Sequence, residues 1–429
     1  MLRAALNLGA ILVVAAAAAS AAGMVEAAAG EPEKPAAPSP APAQPNAIDR
    51  LKPGEWLELP DSRLDKVAFK WPAGVTYTLN NTGVAGVVGN WSSAAYDTKR
   101  DRLIVWGGGH AAYAGNEIYV FDVNALKWER VNDPSLKTDP EGKLEKQGKY
   151  EDETPRSSHS YNYIQYVPAI DRFCVIGTAA HWPSGQSGST FTWAFNFETR
   201  TWGRKADTPA AGIGTYSDVD PATGHVFVRG NWNYSAQFAE WDPVKNVWTT
   251  RADNLTNRTD YAKTGAIDPI GRRFIGVGGR QLYKNEIGRE VNKVTQEVIT
   301  TQGPQDVVNA NDPGLVYDPV VDKLVAWVGG TDVYTLDPAT LTWEKVAAAA
   351  SNQAAPTKPC PNGTYGRWRY IPSKNAYIVV NSVKENVYVY RLTDLSKQPV
   401  PKRLAEAAKS ADPALAAWAA EQVGRFGSK

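Results

Sequence analysis

The side chains of this sequence that are best suited to chemistry lie in short polar segments between apolar stretches. Three of the four histidines, His110, His159 and His181, stand in such segments. Imidazole is an acid–base group that titrates near neutral pH and a common ligand of Zn and Cu. Because the three histidines come from separate segments and include no closely spaced pair, the pattern predicts neither a metal site nor a cofactor, with a Zn or Cu site as the less favoured alternative.

Several of these segments also carry residues suited to binding a polar ligand. Aromatic rings present flat apolar faces, and arginine and asparagine supply hydrogen-bond donors. The predicted ligand-binding residues are Tyr113, Asn116, Glu117, Arg156, Tyr161, His181, Trp182, Trp232, Tyr234, Arg367 and Arg369. The aromatic members favour a carbohydrate ligand, since Trp and Tyr in loops can stack on sugar rings.

Eliminative cleavage of a uronic-acid polysaccharide is the catalytic chemistry that these residue types support. The reaction needs a cation to neutralise the carboxylate beside the acidic C–H bond, together with a base and an acid. The predicted catalytic residues are His110, His159, Tyr261 and Arg280, with Arg156 or Arg367 as alternative cations.

The same side chains also have a structural interpretation. His110 and Glu117 are expected to brace the loop 109–117 by hydrogen bonds to backbone. Arg367 and Arg369 lie on one side of a predicted strand that faces a narrow channel, where they need Glu or backbone carbonyls as partners. A glycosidase needs two carboxyl groups in one pocket, and Glu117 is the only good candidate.

A repeated unit of four predicted strands positions these residues. Each unit has an apolar strand, a turn at Asp or Pro, a second strand that ends in glycines, a variable loop and two further strands. The last two show the clearest spacing, a polar residue followed six positions later by Trp, at Asp122 and Trp128, Asn196 and Trp202, Asp242 and Trp248, and Asp337 and Trp343. The recurring turns and glycine ends give six units of about 50 residues each.

Repeats of this length with four strands each are typical of a β-propeller, because one small sheet buries its two faces only when neighbours stack around a ring. We therefore predict an all-β propeller of six blades, or of seven if residues 69–82 hold another. The sixth unit lacks its Trp-led fourth strand, and the segment 55–60 before the first unit has that character. This N-terminal strand is expected to complete the last blade and remove an exposed edge.

The topology of such a blade decides where the polar residues meet. The loop between strands two and three emerges on the same face of the ring as the connection to the next blade, and we call this the loop face. The histidines at 110, 159 and 181 fall on it together with the other predicted site residues. His225, in a first hairpin, points to the opposite face.

The glycine strand ends and the Asp-to-Trp spacing resemble the kelch repeat. Over about 340 residues the chain is similar to the galactose-oxidase-type kelch propellers. The copper site of galactose oxidase requires two His, two Tyr and a Cys–Tyr cross-link, and neither Cys174 nor Cys360 has a matching context. The set of His, Tyr and Arg on one face resembles in kind that of ulvan-lyase-type propellers.

The N-terminus predicts export. Residues 1–23 have the basic start, apolar run and small-residue cleavage region of a secretory signal peptide, residues 24–50 form an Ala/Pro-rich linker, residues 51–402 the propeller and residues 403–429 a helical tail. The apolar run is shorter than a membrane-spanning helix, and an uncleaved anchor is the alternative to a cleaved signal peptide. We therefore predict a periplasmic or secreted protein with no membrane span beyond the signal sequence.

Composition narrows the range of partners. Forty-six basic and forty-five acidic side chains leave a net charge of +1, which gives no overall field toward nucleic acid or an anionic membrane. With two cysteines, disulfides are not the main support of the fold, and two buried free thiols are expected. The sequence predicts a module that binds a glycan, another extracytoplasmic ligand or an envelope protein, with a polysaccharide lyase as the alternative.

Overall fold

The sequence repeats fold as small antiparallel sheets. The computed structural model describes residues 45–144, 147–185, 189–230, 237–252, 262–288 and 296–427. The chain divides into two units, Met1–Ala43 and Gln44–Lys429, and every described residue belongs to the second. The predicted signal peptide and most of the predicted linker lie outside the described residues.

Short strands make up most of the regular structure. In chain order the strands are β1 (Trp56–Leu59), β2 (Ala94–Asp97), β3 (Arg102–Val105), β4 (Tyr119–Asp122), β5 (Lys127–Arg130), β6 (Ser158–His159), β7 (Ile164–Val167), β8 (Arg172–His181), β9 (Ser189–Asn196), β10 (Thr201–Lys205), β11 (Tyr216–Val219), β12 (Val226–Arg229), β13 (Phe238–Asp242), β14 (Val247–Ala252), β15 (Thr264–Asp268), β16 (Arg273–Gly278), β17 (Gln281–Glu286), β18 (Gln296–Ile299), β19 (Gly314–Asp318), β20 (Lys323–Trp327), β21 (Val333–Asp337), β22 (Thr342–Val346), β23 (Trp368–Ile371), β24 (Ala376–Val379) and β25 (Val387–Tyr390). The α-helices are α1 (Gly86–Gly89), α2 (Asp306–Asn309), α3 (Lys402–Ala407) and α4 (Pro413–Gly424). Single 3₁₀ turns cover Ile48–Arg50, Leu64–Val67, Gly83–Ala85, His110–Ala112, Pro168–Ile170, Tyr365–Arg367, Pro372–Lys374 and Leu395–Lys397.

Six antiparallel sheets form the blades of a propeller. In chain order the blades are β2–β5, β7–β10 with β6 added beside β8, β11–β14, β15–β18, β19–β22, and β23–β25 with β1. The first strand of each blade contacts the first strand of the next, and β23 contacts β2, so the ring is closed. The predicted six-bladed all-β propeller is confirmed, and residues 69–82 form no strand of a seventh blade.

The N-terminal strand closes the ring, as predicted. β1 runs antiparallel to β25, with Trp56 opposite Tyr390 and Leu59 opposite Val387. The buried indole of Trp56 lies 6.0 Å from the ring of Trp327 and 5.8 Å from that of Trp368. The strand therefore fastens blade 6 to blade 5 through side chains as well as through its backbone pairing.

Turn geometry explains the six-residue spacing between a polar residue and Trp. The carboxylates of Asp122, Asp242 and Asp337 each accept hydrogen bonds from two backbone N–H groups of the turn that follows. Each turn then needs one residue in the left-handed conformation, and φ is 56° at Leu126, Arg200, Asn246 and Leu341. The Trp two positions later is the second residue of the fourth strand, so the hairpin sets the spacing.

A second repeated contact holds the first hairpins. In four blades a tyrosine hydroxyl donates to the side chain five positions later, from Tyr96 to Asp101, Tyr166 to Asp171, Tyr317 to Asp322 and Tyr370 to Asn375. The acceptor residue is in each case the left-handed residue that ends the turn. The tyrosine of this Tyr-x4-Asp/Asn pattern gives the blades a common reference position. We call the side of the ring that carries these hairpins the turn face.

Glycines end second strands where a neighbouring blade approaches. A Cβ on Gly107 would lie 2.5 Å from the carbonyl oxygen of Ser158 at the entry to blade 2. One on Gly278 would lie 2.9 Å from Pro313 Cδ at the entry to blade 5, and 2.1 Å from the carbonyl oxygen of Ala262 in its own blade. The two glycines have φ of 112° and 128°. Close approach and positive φ both require glycine here, as the sequence predicted.

The C-terminal helices pack against the turn face. Leu404, Leu415 and Trp418 are buried in a cluster with apolar residues of blades 4 and 5. Arg403 bridges the first hairpins of these blades through ion pairs with Asp268 and Asp322. Within the described ranges no helix is long and apolar enough to cross a bilayer.

The two cysteines take no part in a cross-link. Cys174 and Cys360 are both buried and free, as predicted. Burial raises the pKa of the Cys174 thiol to about 12. This cysteine is therefore a small apolar core residue rather than a reactive group.

Candidate functional site

One position in each blade marks the rim of the central channel on the loop face. It lies five residues before the tyrosine of the Tyr-x4-Asp/Asn pattern, which we call the reference tyrosine. In blades 3 and 4, which lack this tyrosine, it lies five residues before the equivalent residue. The residues there in blades 1 to 6 are Trp91, Tyr161, Gly214, Ala262, Asp312 and Tyr365. In five of the six blades, all except blade 4, φ is positive at this position. The chain makes a left-handed bend as it enters the inner strand.

Blades 6, 1 and 2, which are consecutive in the ring, place aromatic residues at this bend. Trp91, Tyr161 and Tyr365 have φ of 44°, 37° and 49°. The rings of Tyr161 and Tyr365 meet edge to face at 6.1 Å, and the N–H of Tyr161 donates to the carbonyl of Trp91 at 2.6 Å. With His110 and His159, these three residues form what we call the aromatic rim.

His159 lies at the centre of the aromatic rim. Its ring stacks on Trp91 at 5.0 Å and lies 5.8 Å from Tyr161 and 6.0 Å from His110. Nδ1 is 3.4 Å from the Tyr161 hydroxyl, while the buried Nε2 has no hydrogen-bond partner among the described residues. Burial, with smaller contributions from the other two loop-face histidines, lowers the pKa of His159 to about 3. The imidazole is therefore neutral at physiological pH.

The other two histidines lie in the same part of the loop face. β6 pairs with the long strand β8, which sets Ser158 opposite His181 and His159 opposite Ala179. Burial and the nearby charge of Arg156 lower the pKa of His181 to about 4. His110 is half-exposed and begins a 3₁₀ turn with φ of 40°. Within the residues that the structure describes, no group of three or more His, Cys, Asp or Glu has the arrangement of a metal site.

The predicted binding residues of the loop 109–117 brace that loop from inside. The Glu117 carboxylate accepts hydrogen bonds from the hydroxyls of Tyr113 at 2.5 Å and Tyr119 at 2.6 Å. The Asn116 amide makes three hydrogen bonds to the segments that follow. All are buried, and burial raises the pKa of Glu117. Glu117 thus braces the loop as expected, but it accepts hydrogen bonds from tyrosine hydroxyls rather than from the backbone.

Arg156 and Trp182 belong to a buried cluster. The Arg156 guanidinium donates to the Trp182 carbonyl at 3.0 Å and to the Asp139 carboxylate at 2.7 Å, and it lies over the ring of Tyr150. Trp182 is fully buried, and its indole N–H donates to the Thr138 carbonyl. Arg156 and Trp182 therefore contact the protein interior and do not present their side chains to a ligand.

The other candidate arginines lie in three different environments. Arg280 is exposed in the tight turn between β16 and β17, with φ of 69°. Arg367 is buried and donates to three backbone carbonyls, among them that of Ser92. Arg369 faces the channel and donates to the carbonyl of Ala94. The carbonyl partners expected for Arg367 and Arg369 are thus present.

Three of the predicted residues lie outside the described part of the chain, and four described residues of the channel were not predicted. Trp232, Tyr234 and Tyr261 lie outside the described residues. Trp91 and Tyr365 were not predicted as site residues, although counting back five positions from each Tyr-x4-Asp/Asn pattern would have found them. Gln165 and Asp218 also line the channel and directly precede the reference position in blades 2 and 3. They were not predicted, because the sequence was not aligned on this reference position.

No known family model matches this chain, and no curated protein matches its sequence. The propeller fold by itself does not decide between an enzyme and a binding protein, because propellers serve both. Function must therefore be inferred from the site.

Proposed function

We propose that this protein is a non-catalytic binding propeller that holds a carbohydrate at the aromatic rim. The left-handed backbone of Trp91, Tyr161 and Tyr365 carries the proposal. A non-glycine residue in this conformation costs about 1–3 kcal/mol, and such strain clusters at functional sites. Because glycine would relieve it, three strained aromatic residues on neighbouring blades indicate that their rings are needed. Tyr161 and Tyr365 are buried in the core and support the rim, whereas Trp91 is the one of the three that presents its ring to a ligand.

The chemistry of the rim suits an uncharged, hydroxyl-rich ligand. Trp91 and His110 are half-exposed and provide ring faces for stacking on a sugar. His159 is neutral, and its Nε2 is a hydrogen-bonding group without a partner among the described residues. A buried polar atom of this kind is costly unless a ligand or water satisfies it. A sugar hydroxyl is a suitable partner for it.

A polysaccharide lyase at the same face is the alternative, and the contacts support it less. The donors of Arg156 and Arg367 are directed at Asp139 and at backbone carbonyls rather than toward solvent. A histidine with a pKa of about 3 is a weak general base near neutral pH. Binding without catalysis needs neither group. Export to the periplasm or medium, which rests on the sequence of residues 1–23, is part of the proposal.

A glycan array probed with the purified, processed protein tests this function. We expect binding to one class of glycan, and no rise in ultraviolet absorbance from unsaturated products when uronic-acid polysaccharides are added. Binding to no glycan would refute the carbohydrate proposal. A rise in absorbance would replace binding with the lyase.

A further inference from the structure

The turn-face end of the channel holds a cavity that the proposed function does not use. Its volume is about 640 Å³, within the range of small-molecule sites. The rings of Tyr96, Tyr166, Tyr317 and Tyr370 line its wall, and α4 contributes Trp418 to it. The cavity is thus bordered by the inner strands, the first hairpins and the C-terminal helix, and it is partly open to solvent.

Polar residues form the deeper part of this cavity at a single level of the inner ring. The residue before the reference tyrosine is Gln165 in blade 2, Asp218 in blade 3 and Arg369 in blade 6. The remaining blades have Ala95, Ala266 and Val316 there. Opposite charges therefore face one channel among small and apolar side chains.

The two charged groups are held in place but do not pair with each other. Arg369 donates through Nε and Nη2 to the Ala94 carbonyl and through Nη2 to Gln165 Oε1 at 3.3 Å, and no described hydrogen bond uses Nη1. Asp218 accepts from the backbone N–H of Ile267 at 2.9 Å. Arg369 and Asp218 attract each other, yet among the described ion pairs, which extend to 4.0 Å, they do not form one.

Loss of hydration makes both charges costly, at the half-buried Asp218 as well as at the buried Arg369. It raises the pKa of Asp218 to about 6 and lowers that of Arg369. A buried charge needs an opposite charge or several hydrogen bonds as compensation. An arginine and an aspartate that share a cavity without touching leave room for one ligand to serve both.

We propose that this cavity binds a small zwitterion, such as an amino acid or a betaine, with its carboxylate on Arg369 and its ammonium group beside Asp218. A zwitterion supplies both signs of charge and adds no net charge to the cavity. A simple cation or anion would compensate one group and repel the other, and a neutral sugar supplies no charge at all. Tyrosine faces add a favourable site for an ammonium group.

Thermal shift followed by calorimetry tests this proposal on the full chain. The probes are a panel of L-amino acids, glycine betaine and, as neutral ligands that are not sugars, acetamide and N-acetylglycinamide, each at millimolar concentration. We expect one or more zwitterions to raise the melting temperature and the neutral amides to leave it unchanged. If no zwitterion binds, or if a neutral amide binds more tightly, the proposal is overturned. Because no probe is a carbohydrate, neither result bears on glycan binding at the aromatic rim.

Variants test which of the two charged residues binds which group of the ligand. For each amino acid that binds, the matching carboxylic acid without the amino group should bind at least about tenfold more weakly to the parent protein. Asp218→Asn should abolish this preference, because the carboxylate at the level of Arg369 is then removed; the exposed Glu421 lies on α4 and does not belong to that level. Arg369→Gln should weaken both ligands by about tenfold or more. Ser373→Ala, at a lining residue without a proposed role, should change neither affinity.

The Asp218→Asn comparison decides the outcome even if Arg369→Gln does not fold. Asparagine has the same shape and can still accept from Ile267, so circular dichroism should match that of the parent. An unchanged preference for the amino acid in Asp218→Asn would refute the proposed site.

Discussion

At Trp91, Tyr161 and Tyr365 the backbone takes a conformation that glycine adopts without cost. Blade 3 uses Gly214 at the equivalent bend, and blade 5 uses Asp312. The bend is therefore a property of the propeller, whereas the aromatic rings are particular to blades 6, 1 and 2. Residues that strain a fold without being required by it are the ones to examine for function.

Substitutions at Trp91 should reveal this strain. Trp91→Ala loses the ring contacts and keeps the strain, while Trp91→Gly loses the same contacts and relieves it. We expect the glycine variant to be more stable than the alanine variant by about 1 kcal/mol, measured by urea denaturation. Leu126, which has φ of 56° in a hairpin away from the rim, should show the same order between its Gly and Ala variants. Equal stability of the two Trp91 variants would contradict the strain.

His159 should make stability depend on pH in a defined direction. Its pKa falls from the ordinary 6.5 to about 3 on folding, so between these values the unfolded chain binds a proton that the folded chain does not. The free energy of unfolding therefore decreases as pH falls through this interval, by about 1.4 kcal/mol per pH unit from this residue. His159→Gln cannot titrate and should gain stability relative to the parent by that amount per unit between about pH 6 and 4.

The measurement is the difference between the two unfolding free energies at several pH values. Asp218, Asp318 and Asp322, whose pKa values are raised to about 6, act in the opposite direction. They are common to both chains and cancel in the difference. A difference that stays constant with pH would show that His159 is not held neutral by burial.

The site was predictable from the sequence where topology alone decides position. Strand order was enough to bring His110, His159 and His181 to one face. It could not tell that Arg156 and Trp182 turn inward, because a loop arginine that packs on a buried tyrosine has the same local sequence as one that faces solvent. Side-chain direction in long loops depends on contacts between loops that no spacing encodes.

At the scale of the strand, close packing between blades makes certain glycines indispensable. Gly278→Ala places a Cβ 2.1 Å from the Ala262 carbonyl oxygen of the same blade and 2.9 Å from Pro313 Cδ at the entry to blade 5, at φ of 128°. We expect a loss of about 2–4 kcal/mol in unfolding free energy, from backbone strain and displacement of the next blade. Gly203→Ala in β10 meets no atom within 4 Å and serves as the matched control. Similar effects of the two substitutions would contradict the packing described between blades 4 and 5.

The strands and hairpins were the most predictable level of the structure. Asp122, Asp242 and Asp337 cap turns whose length fixes the position of the following Trp, so the motif and its structural cause are both local. β6 was not predicted as a strand, because its two residues pair only with the end of β8. A strand of that length has no periodicity of its own.

At the scale of the whole molecule, β1 joins the two ends of the propeller. Trp56→Ala removes a buried indole that contacts rings of blades 5 and 6 and should cost about 3–5 kcal/mol, measured by chemical denaturation. Glu58→Ala, at an exposed residue of the same strand, should change stability by less than about 0.5 kcal/mol. A loss below about 1 kcal/mol in Trp56→Ala would mean that the ring does not depend on this closure.

The ring itself followed from the sequence, because six repeats and one displaced strand admit few arrangements. The turn-face cavity did not, since Gln165, Asp218 and Arg369 come from blades 2, 3 and 6, and blade 6 is distant from the other two in sequence. These three residues become neighbours only when the ring is closed. Sites made by the ring as a whole are thus less visible in the sequence than sites made by a single loop.

The most direct test of the aromatic rim is calorimetric titration of a glycan selected on the array against the parent protein, Trp91→Gly and Leu126→Gly. Both variants relieve a left-handed residue of blade 1, and only the first removes a rim side chain. We predict a loss of affinity of at least about tenfold for Trp91→Gly and parental affinity for Leu126→Gly. Parental affinity in Trp91→Gly would contradict the assignment of the binding site to the aromatic rim.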